Sequence, residues 1–180
     1  MRDWNVVITL RGQMARALRQ LRRLSLGPVS VSRFLDVLVM KADDPHAVLR
    51  ALDEKVAQEP QQHAFLSHVF PCDQTFTFRS PEEFEAKAQE DATRYAGALA
   101  GKSFHVRIHR RGFKGRLSTK DEERRLGEFL YERLEKAGTP ARVSFEDPDA
   151  VVLVETVGTQ AGMALLGREE LGHSRLLRAD

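Results

Sequence analysis

Residues Ala150-Val151-Val152-Leu153-Val154 form an unbroken apolar run, flanked by Asp149 on one side and Glu155 on the other. A strand that is apolar at every position belongs at the centre of a sheet, because both of its faces need cover. That one segment commits the chain to a layered architecture with a substantial core. The rest of the composition allows it: 180 residues, 42% hydrophobic and 30% charged, are the proportions of an ordinary globular protein. No apolar run approaches the roughly 20 residues a membrane helix needs. Nor does the start, Met1 to Leu10, combine a basic flank with an apolar core. Cys72 is the single cysteine, so neither an internal disulfide nor a thiolate metal cage is available. These features predict a cytoplasmic protein without a membrane segment.

Periodicity fills in the elements around the apolar strand. Trp4 to Leu10 reads as a strand, and Gly12 separates it from a basic amphipathic helix over Gln13–Leu24, with Met14, Ala17, Leu18, Leu21 and Leu24 at helical spacing. Val29 to Met40 reads as extended structure bent near Arg33. Asp44-Pro45 opens a second helix bearing Ala47, Val48, Ala51, Leu52 and Val56, and Ala64 to Phe78 is extended again, interrupted at Pro71. Strand, helix, extended segment, helix, strand is the order of a ferredoxin-like sandwich, with one strand lost or merged. A first domain over residues 1–79 is the expectation.

Ser80-Pro81-Glu82-Glu83 is a helix start, with serine at the cap, proline in the first turn and glutamate three residues after the cap. Phe84, Ala88, Ala92, Tyr95 and Leu99 follow as one stripe. Phe104, Val106 and Ile108 then alternate with Ser103, His105, Arg107 and His109, a half-buried strand whose other face is polar and basic. Ser118 with Asp121, or Thr119 with Glu122, caps a helix carrying Leu126, Phe129, Leu130, Leu134 and Ala137, which Gly138 and Pro140 end. Arg142 to Phe145, Ala150 to Val157 and Ala161 to Leu166 read as strands. Together these predict an α+β protein whose second domain covers residues 80–180.

Charge is uneven. The chain has 28 basic and 26 acidic residues, a net of +2, but Lys102 to Arg125 holds nine basic residues against Asp121, Glu122 and Glu123. That window carries +6, and the residues outside it sum to −4. Such asymmetry is what an anionic ligand would select, against the plainer alternative of a solvated face.

Two motifs suggest chemistry and fail on context. Ala96-Gly97-Ala98-Leu99-Ala100-Gly101-Lys102-Ser103 fits a relaxed phosphate loop, with Glu155 as the acidic strand end of a nucleotide triphosphatase. Phosphate binding needs strand, loop, then helix, so that amides and the positive helix end face the anion. Here a helix precedes Gly101 and a strand follows, so Gly-Lys reads as a helix stop. His105 and His109 have the spacing of a metal pair on a helix, but on a strand four residues span about 13 Å, too far for one ion. His109 is instead a candidate for stacking or hydrogen bonding with a nucleobase. His46, His63, His68 and His173 show no chelating spacing, and no catalytic signature or cofactor fingerprint is present.

The segment Phe104-x-Val106-x-x-x-Arg110-Arg111-Gly112, a helix opening at Ser118 or Thr119, and Val143-x-Phe145-x-x-Pro148-Asp149-x-x-Val152-x-Val154-Glu155 together resemble the THUMP family. Gly167-Arg168-Glu169-Glu170-Leu171 is similar to its ending. The likeness covers about residues 80 to 180, and 1–79 is similar in plan to the ferredoxin-like domain that often precedes it. Phe145 stands where the family often has leucine. The resemblance implies RNA binding, usually of tRNA, and delivery to a modifying enzyme. Expected to stand alone without an appended catalytic domain, the chain is most similar to accessory proteins of tRNA acetylation, and His68 to Thr75 is similar to a linker of that subgroup.

Residues and resemblance thus predict a non-catalytic tRNA-binding adaptor for an RNA-modifying enzyme, an acetyltransferase being one candidate, with no cofactor and no metal. The alternatives are a protein interaction module with an acidic partner and a nucleotide-binding enzyme. The predicted RNA contacts are Lys102, Arg107, His109, Arg110, Arg111, Lys114, Arg116 and Lys120, with Gly112 and Gly115 allowing close backbone approach and the free amides near Ser118 adding donors. For Arg124 and Arg125 the expectation is pairing with neighbouring helix carboxylates.

Overall fold

The computed structural model describes residues 3–179 and is a mixed α+β protein with two sheets. By packing, it divides into two compact units: residues up to Thr75 together with His173–Arg178, and Phe76–Gly172 with Ala179. The division at 79/80 drawn from sequence lies four residues beyond the first boundary and makes no provision for the return of 173–178.

The first unit runs β1 (Val6–Leu10), α1 (Met14–Arg23), β2 (Val29–Val31), β3 (Val37–Met40), α2 (Pro45–Gln58) and β4 (Leu66–Pro71). Its sheet has the order β2-β3-β1-β4 with every neighbouring pair antiparallel. This is the complete ferredoxin-like plan, and no strand is lost. The stretch Val29–Met40 is two strands, because Asp36 takes a left-handed φ of 55° and turns the chain between them. Central β1 is closed off by Asn5, whose side chain donates to Ala42 O and accepts from Ala42 N, both at 2.8 Å. Asp44 caps α2 by accepting from Ala47 N at 2.9 Å, with Pro45 in the first turn. Gly27 has φ +139°, and a Cβ there would lie 2.1 Å from Lys41 O, so only glycine fits.

The second unit holds α3 (Pro81–Ala92), a 3-10 turn at Thr93–Tyr95, α4 (Ala96–Leu99), β6 (Ser103–Arg111), α5 (Thr119–Lys136), β7 (Arg142–Val143), β8 (Ala150–Val157), β9 (Gln160–Gly167) and α6 (Arg168–His173), preceded by β5 (Gln74–Thr77). The sheet order is β5-β9-β8-β6-β7. The apolar β8 is the central strand, parallel to β6 and antiparallel to β9. Ser80 Oγ accepts from Glu83 N at 3.2 Å, while Glu83 reaches back to Arg79 N rather than to the cap itself. Of the two possible caps for α5 the structure uses Ser118, accepting from Asp121 N at 3.3 Å. Gly138, at φ +71°, ends α5, with Thr139 N donating to Leu134 O. One core joins α3, α5 and the inner sheet face, built from Phe84, Ala88, Leu126, Leu130 and Leu134 against Phe104, Val106, Ile108, Val152 and Val154. Among the described residues no helix is long and apolar enough to cross a membrane.

Candidate nucleic-acid interface

Strand alternation decides first where the basic residues of β6 go. Phe104, Val106 and Ile108 enter the core beside α5, so Arg107, His109 and Arg111 lie on the opposite sheet face and Arg110 on the helix face. The register then sets His109 and Arg111 beside β8, where Glu155 pairs with His109. Glu155 is fully buried; His109 Nδ1 lies 3.1 Å from its Oε1, and an Arg111 Nη donates to its Oε2. A buried carboxylate needs such compensation, so the Arg111 guanidinium and the His109 ring both serve the interior of the unit. Arg111 N also donates to Thr156 Oγ1 at 2.9 Å, which ties the strand end to β8. Arg107 Nε donates to Ala179 O at 3.3 Å, and its guanidinium is 3.9 Å from Glu123. Arg110 donates to Gly112 O.

The loop after β6 is shaped by three residues in the left-handed region, Gly112 (φ +106°), Phe113 (φ +51°) and Gly115 (φ +76°). Gly112 makes its close approach to Gly158 in the β8–β9 turn: a Cβ would sit 3.1 Å from Gly158 Cα, and Gly158 N donates to Arg111 O at 2.8 Å. Gly115 faces open space. Phe113 anchors the loop, its ring 4.9 Å from Phe78, and Arg116 lies over the Phe113 ring at 5.0 Å. Arg116 and Leu117 amides both donate to Phe113 O at 3.0 Å, and Leu117 is buried.

The result is a platform anchored by Phe113 and bearing exposed Lys114 and Arg116, with Lys120 exposed at the first turn of α5. Among the described residues, Lys102, Lys114, Arg116 and Lys120 enter no ion pair. Lys102 stands at the other end of β6, about 30 Å of strand away. The N-terminal amides of α5 share their turn with Asp121 and Glu122, which compete with any incoming anion. Burial holds the Glu122 carboxyl above its usual range, with Arg125 opposing. Arg125 pairs with Glu122 and with Glu85, while Arg124 pairs with Glu128, one turn beyond the carboxylates expected from sequence.

Beside these cations lies a feature that sequence reading missed. An apolar groove of about 640 Å³ runs between α5 and the β6–β7 edge, lined by Phe104, Val106, Gly127, Tyr131, Val143 and Phe145, with Lys120 and Arg124 joined in its lining by Asp121, Glu123 and Glu128. Phe145 is 73% exposed and stacks on His105 at 5.3 Å. His105 Nδ1 is 2.9 Å from Ser144 O, which holds the ring in place. Alternation along Arg142–Phe145 sets Phe145 on the same apolar face as Val143, so no local signal in the sequence marked it as exposed.

No family model matches the chain, and no curated protein is detectably similar in sequence. Solved structures do match. Residues spanning 92% of this chain superpose on 55% of PH1313 from Pyrococcus horikoshii Ot3, with a TM-score of 0.63 at 12% identity. TrmN from Thermus thermophilus is similar over 90% of this chain and 44% of its own, with a TM-score of 0.59 at 21% identity. A 4-thiouridine synthetase, solved in an RNA complex with bound ATP, is similar over 92% of this chain and 42% of its own, with a TM-score of 0.55 at 14% identity. The fold is shared across both units of the chain. The chain spans about half the length of these proteins.

Proposed function

We propose that this chain is a THUMP-type RNA-binding protein whose partner is folded tRNA, and that it presents tRNA to an RNA-modifying enzyme without catalysing the modification itself. The observation that carries this reading is the trio Lys114, Arg116 and Lys120, exposed, free of ion pairs and held on a loop that Phe113 roots in the core. Surface cations that enter no ion pair create the field that draws a polyanion; Arg116 also acts at longer range on the Glu82 carboxylate, helping to hold it below its usual range. The fold, shared with a synthetase that was crystallised with RNA, supports the same reading.

Direct phosphate contact rests on Lys114, Arg116 and Lys120, with Lys102 a separate contact. Arg107, His109, Arg110 and Arg111 shape the root of the loop, and they reach RNA only where their remaining donors face outward. Recognition of tRNA comes from folded shape, because A-form grooves hide base edges. The apolar groove at Phe145 and Tyr131 supports the adaptor half of the proposal, since exposed apolar surface of that kind suits a protein partner. An RNA acetyltransferase is the enzyme suggested by the resemblance of residues 68–75.

Titration with folded tRNA across a salt series tests the proposal. With about five phosphates neutralised, log affinity falls with log salt at a slope of about −3.5 to −4.5. Lys114→Gln with Arg116→Gln and Lys120→Gln lowers affinity and flattens the slope by about 2. A slope near zero in the unaltered protein, or an unchanged triple variant, overturns the reading in favour of a protein interaction module with an acidic partner.

A further inference from the structure

The −4 sum outside Lys102–Arg125 hides a second asymmetry. From Trp4 to Leu35 the chain carries six arginines, at 11, 16, 19, 22, 23 and 33, and not one aspartate or glutamate. Four of the six lie on α1. At 3.6 residues per turn, Arg16, Arg19, Arg22 and Arg23 fall within about 120° of the helix circumference. Ala17 and Leu21 are buried on the other side, so the arginine arc faces away from the sheet.

Among the described residues of the first unit no carboxylate forms an ion pair with this arc. Among the described residues Arg11, Arg19, Arg22, Arg23 and Arg33 form no ion pair, and all five are exposed. Arg16 is partly held, donating to Gln13 Oε1 at 3.0 Å and to Gln62 O at 3.2 Å. Arg22 and Arg23 have a local explanation, since cations at a helix C-terminus meet the negative end of its dipole. Arg11 and Arg19 do not share it. Arg11 follows directly on Leu10, whose amide donates to Asp36 O at 2.8 Å, so the end of β1 meets the β2–β3 turn that bears Arg33. Arg11 thus stands at the end of β1 beside a turn that carries both Arg33 and Asp36.

We infer that the arginine face of α1, with Arg11, is a second docking surface for the phosphate backbone of RNA, built on a different unit from the loop after β6. It rests on the RNA-binding reading and extends it to a residue set that the resemblance did not supply. Charge complementarity selects the partner: unopposed guanidinium groups offer bidentate contacts that phosphate oxygens match, and the arc contains no acidic residue to orient a partner of mixed charge.

The test uses the full chain and folded tRNA over a salt series, with circular dichroism melts to establish folding of each variant. Arg19→Gln with Arg22→Gln and Arg23→Gln is expected to weaken binding about tenfold or more near 0.1 M salt and to reduce the slope by about 2 to 3. The corresponding Lys replacements keep the charge and are expected to restore the slope. A charge-matched control on the same unit, Lys41→Gln with Arg50→Gln and Lys55→Gln, is expected to bind nearly as the unaltered protein does. If the α1 variant binds normally while the Lys114, Arg116 and Lys120 variant is impaired, the α1 surface is overturned and RNA binding stands. An equal loss in the control also overturns it, reducing the effect to net charge. Should the unaltered protein fail to bind tRNA, the RNA reading falls first and the α1 surface with it.

Discussion

Asp149 illustrates how much of this fold depends on single polar contacts. Its Oδ2 accepts from both Ser103 N and Ser103 Oγ at 2.8 Å, while its own amide donates to Ser103 Oγ at 3.0 Å. The first residue of β6 and the residue just before β8 are thereby pinned together where the parallel register begins. The Ser103 amide and hydroxyl hold the Asp149 carboxyl below its ordinary range. A lowered folded-state pKa means stability that is present above the unfolded value and lost as pH falls through the folded one. The expected outcome is a melting temperature that drops as pH goes below about 4. Asp149→Asn should lower it at neutral pH and remove part of that acid dependence, as thermal melts at several pH values would record. The signal for this contact was in the sequence as Pro148-Asp149, but its partner lies 46 residues away and no periodicity connects them.

Elements were mostly legible, because each has a local cause. Ser80 and Ser118 cap their helices by accepting from the third amide on, and Gly138 stops α5 in a left-handed turn. The relaxed phosphate-loop pattern at Ala96–Ser103 is a helix, a turn at Gly101 with φ +70°, and then β6, the order that its residues imply. Helix α5 matters most for the candidate site, since it forms one wall of the groove and carries Lys120. Its Leu130 is fully buried between α3 and the sheet. Leu130→Ala should cost about 2–5 kcal/mol, measured by denaturant unfolding, because the cavity it leaves can collapse only in part. Strand β7 is shorter than expected from Arg142–Phe145, since Ser144 turns its carbonyl to His105 and its hydroxyl to Glu146 O, which leaves Phe145 on the surface.

Across the whole molecule, the segment that sequence reading did not anticipate is the return of His173–Arg178 to the first unit. Asp53 Oδ1 accepts from Arg175 N at 2.9 Å and from Leu176 N at 3.2 Å, Val69 N donates to Leu176 O at 2.9 Å, and Leu176 and Leu177 are buried. The segment covers β4, an outer strand of its sheet, and so protects an edge that would otherwise be open. Leu176→Ala is expected to destabilise the first unit by about 2 kcal/mol or more and to speed amide exchange at Val69, read by hydrogen-exchange mass spectrometry. The amino-acid sequence by itself determined the strand and helix identities, the central place of Ala150–Val157 and the gathering of cations near Arg110–Lys120, since periodicity, caps and charge are local properties. Tertiary structure alone decided which of those cations stay free. That choice depends on the parallel register of β6 with β8, which sets Arg111 and His109 against a buried Glu155 and leaves Lys114, Arg116 and Lys120 to the solvent. A pairing between residues 44 to 46 positions apart follows from how the strands pack, and no local pattern encodes it.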